Sequence, residues 1–208
     1  MKHKRLALLL ASGALLAGCG TPQAGSAVVW DTGRITDNQV AIQSDALAAD
    51  LKIPLSPELT SYTVNLMAFQ EVVEQAAADA KVNLTQGEVQ RQIDTVLEKS
   101  GGWDQYSQLL MQNGAPLTKD QLPAYFRAGM LVDELGKKVD PSTQPSQSSK
   151  LAQYLGQVSK QMGLQTNPRY GVWDASSLRV VSDANTLSQP GTNELTQMQQ
   201  LQQQQGTP

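Results

Sequence analysis

The feature that most constrains the fold is a long helical pattern that begins at Ser56-Pro57-Glu58. Serine caps helix N-termini, proline fits the first helical position, and an acidic residue favours the first turn. The apolar residues that follow are spaced alternately by three and four positions: Leu59, Tyr62, Leu66, Phe69, Val73, Ala76 and Ala80. This spacing predicts an amphipathic helix of about six turns with one buried face. Core packing accounts for such a stripe better than a cofactor-binding role.

Other helix starts carry a capping box, in which a threonine is followed three residues later by glutamine or glutamate. The pairs are Thr36/Gln39, Thr85/Glu88 and Thr118/Gln121, and Leu84/Val89 and Leu117/Leu122 add hydrophobic staples. Glycine or asparagine-glycine marks several predicted ends. The predicted helices run from Thr36 to before Pro54, from Thr85 to Gly101-Gly102, through Trp103 to Asn113-Gly114, from Thr118 to about Val139, and from about Lys150 to Gly163. Pro123 is expected to delay or bend the helix that follows Thr118.

Short β-prone segments lie near both ends of this helical region. Residues 27–30 predict a strand, Asp31-Thr32-Gly33 a turn, and Arg34-Ile35 a second short strand. The stretch TNPRYGVWD, residues 166–174, contains an extended Asn-Pro step, a glycine and two large aromatic rings. We expect it, together with residues 178–181, to pair antiparallel with residues 27–30. An exposed, unpaired stretch would instead indicate a functional loop.

Two segments lack the apolar residues that a packed element needs. Residues 140–149, DPSTQPSQSS, are interpreted as a polar linker. From residue 182 to residue 208 the chain is rich in glutamine and is interpreted as a disordered tail. A short helix over residues 195–201 is the alternative for part of that tail.

The N-terminus has the organisation of a secretory signal. MKHKR is a positive n-region, and the apolar run after it is shorter than the ~20 residues that span a bilayer. Leu16-Ala17-Gly18-Cys19 resembles the lipobox of bacterial lipoproteins. Residues 1–18 are therefore predicted to be a signal peptide, with Leu16, Ala17 and Gly18 recognised by the signal peptidase. Cys19 is predicted to be lipidated and to anchor the protein at the extracytoplasmic face of the cell membrane, and residues 19–26 to be a flexible tether. An ordinary secretory signal that ends near a cysteine is the alternative.

The composition restricts the chemistry of the chain. Its one histidine, His3, lies in the predicted signal, and Cys19 is its one cysteine. Histidine- or cysteine-based nucleophile systems and zinc sites are therefore excluded from the predicted mature protein. Glu71 and Glu74 share a helix face but are interpreted as solvated. With a net charge of −3 and no basic stripe, the sequence gives no reason to expect nucleic-acid binding. We expect no metal, no cofactor and no catalytic residues.

The order of these elements resembles the N-terminal domain of SurA-like and PrsA-like chaperones. The resemblance rests on the run from AVVWDTGRITDNQV through KVNLTQGEVQRQIDTVLEKSGGWDQYSQLLMQNGAPLTKDQLPAYFRAGMLVDELGKKV and covers most of residues 27–181. It implies a mainly α domain, in which a small antiparallel β element joins the N- and C-terminal segments. Chains of this family usually carry a parvulin prolyl isomerase domain before the last helix. Residues 140–149 are too short to hold one, so the resemblance does not extend to isomerase activity.

These observations favour a lipid-anchored extracytoplasmic chaperone that holds unfolded secreted polypeptides without ATP. A groove between helices would bind them, and Met67, Met111 and Met130 are candidates for an adaptable lining; for each of them, filling a gap in the core is the simpler interpretation. The alternative is a non-catalytic scaffold lipoprotein that binds one partner in the cell envelope. An enzyme ranks third. Individual client-binding residues and the oligomeric state, including a homo-oligomer, are left open.

Overall fold

The computed structural model describes residues 24–181, which form a mainly helical fold with small antiparallel sheets. The predicted signal peptide, the lipobox with Cys19 and the glutamine-rich tail lie outside the described residues. The helices are α1 (Asp37–Leu51), α2 (Pro57–Asp79), α3 (Gln86–Ser100), α4 (Trp103–Gln112), α5 (Leu122–Val139) and α6 (Ser149–Met162). The strands are β1 (Ser26–Trp30), β2 (Gly33–Thr36), β3 (Gln165–Thr166), β4 (Val172–Asp174) and β5 (Arg179–Val181).

The helix starts are set by local capping, as the sequence predicts. Thr36 and Thr85 each accept a hydrogen bond from the backbone N–H three residues on, and the side chains of Gln39 and Glu88 accept from the cap backbone in return. Such a cap stabilises a helix by about 1 kcal/mol. Thr118 forms the same box, but residues 119–121 make a 3₁₀ turn and α5 begins only at Leu122. The predicted delay before Pro123 is therefore confirmed.

Strand β1 is the centre of a three-stranded sheet with the order β2-β1-β3. It pairs with β2 through the turn at residues 31–32, and it pairs antiparallel with β3 at Val28↔Thr166 and Val29↔Gln165. The sheet thus joins the two ends of the described chain, as predicted. The strand begins at Ser26, which is 1% exposed, so the last residue of the predicted tether belongs to the sheet.

The predicted partner of residues 178–181 was wrong. Strand β5 pairs with β4, at Val172↔Val181 and Trp173↔Val180, and not with β1. The turn at Asp174, where the carboxylate accepts hydrogen bonds from Ser176 and Ser177, folds this segment back on its own neighbour. A local hairpin closes a much shorter loop than a return to β1, and this favours it.

Helix α2 is buried on more of its surface than the predicted stripe. Its fully buried positions also include Val64, Ala68 and Val72, which lie outside the three-four spacing. Val64 and Ala68 pack with β1, whereas Val72 packs with α5 and α6. The helix is therefore covered by the sheet on one side and by helices on the other, and a single stripe underestimates its buried area.

Residues 140–149, predicted to be a polar linker, connect α5 to α6 through internal hydrogen bonds. Asp140 is 4% exposed and accepts hydrogen bonds from Ser148 Oγ at 2.7 Å and Ser142 Oγ at 3.2 Å. Lys150 Nζ lies 3.4 Å from the same carboxylate. The hydrogen bond from Ser148 is the main cause that lowers the pKa of Asp140. Ser148 also caps α6, so the polar residues of this segment bond to one another and fix the start of that helix.

Candidate functional site

An apolar depression among the described residues lies between α2, α3 and α5, and we call it the apolar groove. Its volume is about 410 Å³. The lining comprises Leu66, Phe69 and Gln70 of α2, Gln92 of α3, and Tyr125, Phe126, Ala128, Gly129, Met130, Val132 and Asp133 of α5. Most of its side chains are apolar and only partly buried, so the groove offers hydrophobic area that the fold itself leaves uncovered.

Gly129 lines the groove and adds no side chain to it. It lies in the middle of α5, where glycine costs a helix about 1 kcal/mol relative to alanine. A Cβ placed at this position would meet no atom within 4 Å. No close approach of another helix and no tight turn requires a glycine at this position. The missing side chain therefore leaves space in the groove at the expense of helix stability.

One wall of the groove is aromatic. Tyr125 and Phe126 are neighbours on α5, with ring centroids 6.0 Å apart in an edge-to-face arrangement. Phe126 in turn lies 6.0 Å from Tyr106 of α4 and is nearly buried. Edge-to-face contacts hold such rings in place beyond their burial. Phe126 thus anchors this wall in the core, and Tyr125 presents its ring to the opening.

A more polar recess adjoins the apolar groove and shares Gln70 with it. The recess has a volume of about 440 Å³ and lies between α1 and the start of α5. Gln43 and the buried Gln121 face each other there, with Gln121 Nε2 donating to Gln43 Oε1 at 3.1 Å. Amide side chains both donate and accept hydrogen bonds. The two depressions together combine apolar contact with amide hydrogen bonding.

Tyr62 and Tyr106, which lie near Tyr125, stay neutral at physiological pH. Burial, with Tyr125 nearby, raises the pKa of Tyr62 to about 12. Burial is also the main cause that raises the pKa of Tyr106. Residues 24–181 contain neither histidine nor cysteine. The groove therefore suits binding by removal of apolar surface from water, and residues 24–181 supply it with neither an imidazole nor a thiol.

Glu71 and Glu74, interpreted from the sequence as solvated, are partly exposed, and the side chain of Glu74 is 41% exposed. Arg127 of α5 donates from Nε to Glu74 at 2.5 Å and from Nη2 at 3.0 Å, and from Nη1 to the carbonyl oxygen of Leu84 at 2.8 Å. Glu71 is half-buried, and desolvation followed by the neighbouring Glu74 raises its pKa. Glu74 thus joins α2 to α5 through Arg127.

The stretch TNPRYGVWD is not an exposed functional loop. Thr166 lies in β3, and Val172 to Asp174 form β4. Arg169 forms an ion pair with Asp37 at the start of α1 and donates to the hydroxyl of Tyr170 at 2.6 Å. The prediction that this stretch closes the fold is confirmed for its β3 portion, and Arg169 acts as a link between the C-terminal segment and α1.

The methionines named from the sequence have different environments. Met67 is buried beside the sheet, Met111 is exposed on α4, and Met130 is half-buried in the apolar groove. Of these, only Met130 lines that groove. Sequence reasoning missed Gly129 and Tyr125 as lining residues. The signal was a glycine inside an otherwise regular helix, which often has a packing or functional reason.

Nothing in residues 24–181 indicates a metal centre or a membrane span. No group of three or more His, Cys, Asp or Glu side chains in this range could hold a metal ion. No helix in the same range is long and apolar enough to cross a bilayer. Comparisons with protein-family models, with curated proteins and with solved structures return no match.

Proposed function

We propose that this protein is a lipid-anchored, extracytoplasmic holdase that binds unfolded secreted polypeptides. The observation that carries the proposal is the apolar groove, which is open, uncharged over most of its lining and has free space at Gly129. A site for a specific small ligand usually places a few convergent polar groups among the apolar ones. Here the polar groups of the lining are the side chains of Gln70, Gln92 and Asp133 and the hydroxyl of Tyr125.

The mechanism is reversible burial of apolar side chains of the client. Each leucine- or phenylalanine-sized group that enters an apolar site contributes up to about 1.5–3 kcal/mol. Two or three such groups, set against the cost of association and ordering, give weak and short-lived complexes. Weak binding allows release without ATP. The half-buried Met130 fits this role, because its flexible side chain adapts to clients of different shape.

The order of elements supports the proposed kinship with SurA-like and PrsA-like N-terminal domains. A strand is followed by a helix, a long helix, and a helix–short helix–helix unit, here α3, α4 and α5. The anchor would be lipid on Cys19 after removal of residues 1–18. We further propose that prolyl isomerase activity is absent, because residues 140–149 occupy the place where that family carries its parvulin domain.

The groove can be tested by filling it. Gly129→Leu places a side chain in the open space and, at the same time, raises helix propensity. We expect this variant to be at least as stable as the wild type but to lose most of its ability to suppress aggregation of several unrelated unfolded proteins. Gly129→Ala is the matched control, since it changes propensity but fills little of the groove. Equal protection by both variants would contradict the proposal.

A second pair of variants tests whether a methionine must lie in the groove to contribute to client binding. Met130→Gln should weaken protection, whereas Met111→Gln, on the exposed face of α4, should not. If the protein protects no unfolded client but one partner copurifies stoichiometrically, the scaffold alternative replaces the holdase.

Anchoring and catalysis have their own tests. Cys19→Ala should abolish lipid labelling and membrane retention, and a variant that stays labelled and bound would refute the anchor. Proline isomerisation of a short peptide, measured with the purified protein, is expected to be indistinguishable from the uncatalysed rate.

A further inference from the structure

The described chain ends beside the wall of the apolar groove. The backbone N–H of Val180 donates to Asn65 Oδ1 of α2 at 2.5 Å, and β5 packs along this helix. Asn65 precedes Phe69 by four residues, which places it one helical turn away on nearly the same side of α2. Phe69 lines the groove. The point at which residues 182–208 are attached to the described chain therefore lies next to the groove.

The composition of residues 195–201, LTQMQQL, complements the groove and the adjoining recess. Leu195, Met198 and Leu201 follow one another at intervals of three, the spacing of neighbours on one helix face. No charged residue occurs after Glu194, which matches the mostly uncharged lining. The remaining positions are mainly glutamine, and their amides can exchange hydrogen bonds with those of Gln43, Gln70 and Gln121.

The connecting segment is long enough for the contact. Residues 182–194 span at most roughly 45 Å when fully extended, and a flexible chain of this length has a typical end-to-end distance of about 20 Å. The nearest wall of the groove lies about one helical turn, ~5.4 Å, along α2 from Asn65. Binding within the same molecule thus requires no strained connection, and the effective concentration of a short tethered segment is of millimolar order.

We propose that residues 195–201 bind in the apolar groove of their own chain and act as a built-in competitor of its ligands. The contact itself requires only the groove and the tail; its regulatory consequence rests on the holdase function proposed above. A tethered weak ligand keeps the groove covered when no client is present. An unfolded client displaces the tail when the client concentration, divided by its dissociation constant, exceeds the effective concentration of the tail divided by the tail's own dissociation constant.

Site-specific photo-crosslinking in the full chain tests the contact directly. A benzoylphenylalanine at Gln92 lies in the groove, and the same probe at Gln90 is the matched control, because it lies on the same helix but points to a different side. No lysine or arginine follows Arg179, so trypsin leaves the tail in one peptide that begins at Val180. We expect the Gln92 probe to capture this peptide within monomeric protein, several-fold more than the Gln90 probe does. Replacing Leu195, Met198 and Leu201 together by serine should reduce the capture by a similar factor.

The results separate this proposal from the holdase function. Equal capture at Gln92 and Gln90, capture that occurs only in crosslinked dimers, or capture unchanged by the serine replacements would overturn the contact. In an independent assay, the serine-substituted chain should bind an unfolded model protein at least twofold more tightly, and unchanged affinity would overturn the competition. Capture without any client binding would leave the contact standing and refute the holdase. Client binding without capture would refute the contact and leave the holdase function standing.

Discussion

The indole of Trp173 is expected to hold the C-terminal hairpin on the helices. Its Nε1–H donates to Ser159 Oγ of α6 at 2.6 Å, and Ser159 is 1% exposed. The ring also packs against both the helical core and the sheet cluster. Three variants test this link: Trp173→Phe, Ser159→Ala and the double substitution.

The magnitudes follow from which group each variant leaves without a partner. Trp173→Phe strands a buried hydroxyl, which costs about 1–3 kcal/mol, and the smaller ring leaves a gap that costs roughly 1 kcal/mol more. Ser159→Ala strands the indole N–H, which is only partly buried, so about 1 kcal/mol is expected. The double variant leaves neither group stranded and keeps only the gap. It should therefore be less destabilised than the sum of the single variants by about 2–4 kcal/mol.

Equilibrium urea unfolding followed by circular dichroism at 222 nm measures all of these quantities. Far-ultraviolet dichroism is preferred to fluorescence because Trp173 itself is replaced. At a slope of about 2 kcal/mol per molar urea, Trp173→Phe should lower the midpoint by about 1–2 M. The comparison requires that the slope be the same for all variants and that unfolding be two-state.

Strict additivity of the two substitutions would refute the reasoning. It would mean that the Trp173–Ser159 hydrogen bond contributes nothing to stability. If stability were unchanged in every variant, the hairpin would be only loosely attached to the helices. Residues 166–174 would then again be a candidate functional loop.

Other perturbations give equally specific results. Gly171→Ala should destabilise the fold by about 2 kcal/mol or more, seen as a melting temperature lower by about 5 °C, since φ is 110° and a Cβ would lie 2.4 Å from the carbonyl oxygen of Val181. Hydrogen bonds from Ser176 and then Ser177 lower the pKa of Asp174 to about 2. Its stabilising contribution should be complete above pH 4 and lost as pH falls through about 2, a dependence that amide NMR signals of the hairpin should show and that Asp174→Asn should remove. Arg127→Met breaks a partly exposed ion pair, so urea unfolding should show a loss of about 1 kcal/mol that shrinks in high salt.

The helix boundaries could be predicted because their signals are local. Thr85 with Glu88, and Ser56 with the proline after it, form capping contacts within one turn, whatever the rest of the chain does. The long reach of α2 could be predicted for the same reason, from its periodic apolar residues. The pairing of residues 165–166 with β1 was also predictable, because extended, aromatic-containing segments occur near both ends of the helical region.

The second buried face of α2 and the apolar groove could not be predicted in this way. Val64 and Ala68 are buried by strands that lie far from α2 in the sequence. The spacing of apolar residues within α2 therefore does not reveal that these two positions are buried. The groove depends on how α2, α3 and α5 cross, and crossing angles are set by packing. The fixed connection at Asp140 was missed because a polar composition does not reveal whether polar groups bond to water or to one another.

The position of β1 between β2 and β3 has a consequence for the order of folding during synthesis. The β1–β2 hairpin forms from neighbouring residues, but the other edge of β1 is covered by residues 165–167, far along the chain. Most of the chain must therefore be made before that edge is closed. Contacts of such long sequence separation form slowly, and an open strand edge accepts other strands. The nascent protein is thus most exposed to strand addition by another chain at β1, until its sixth helix and the strand after it have emerged.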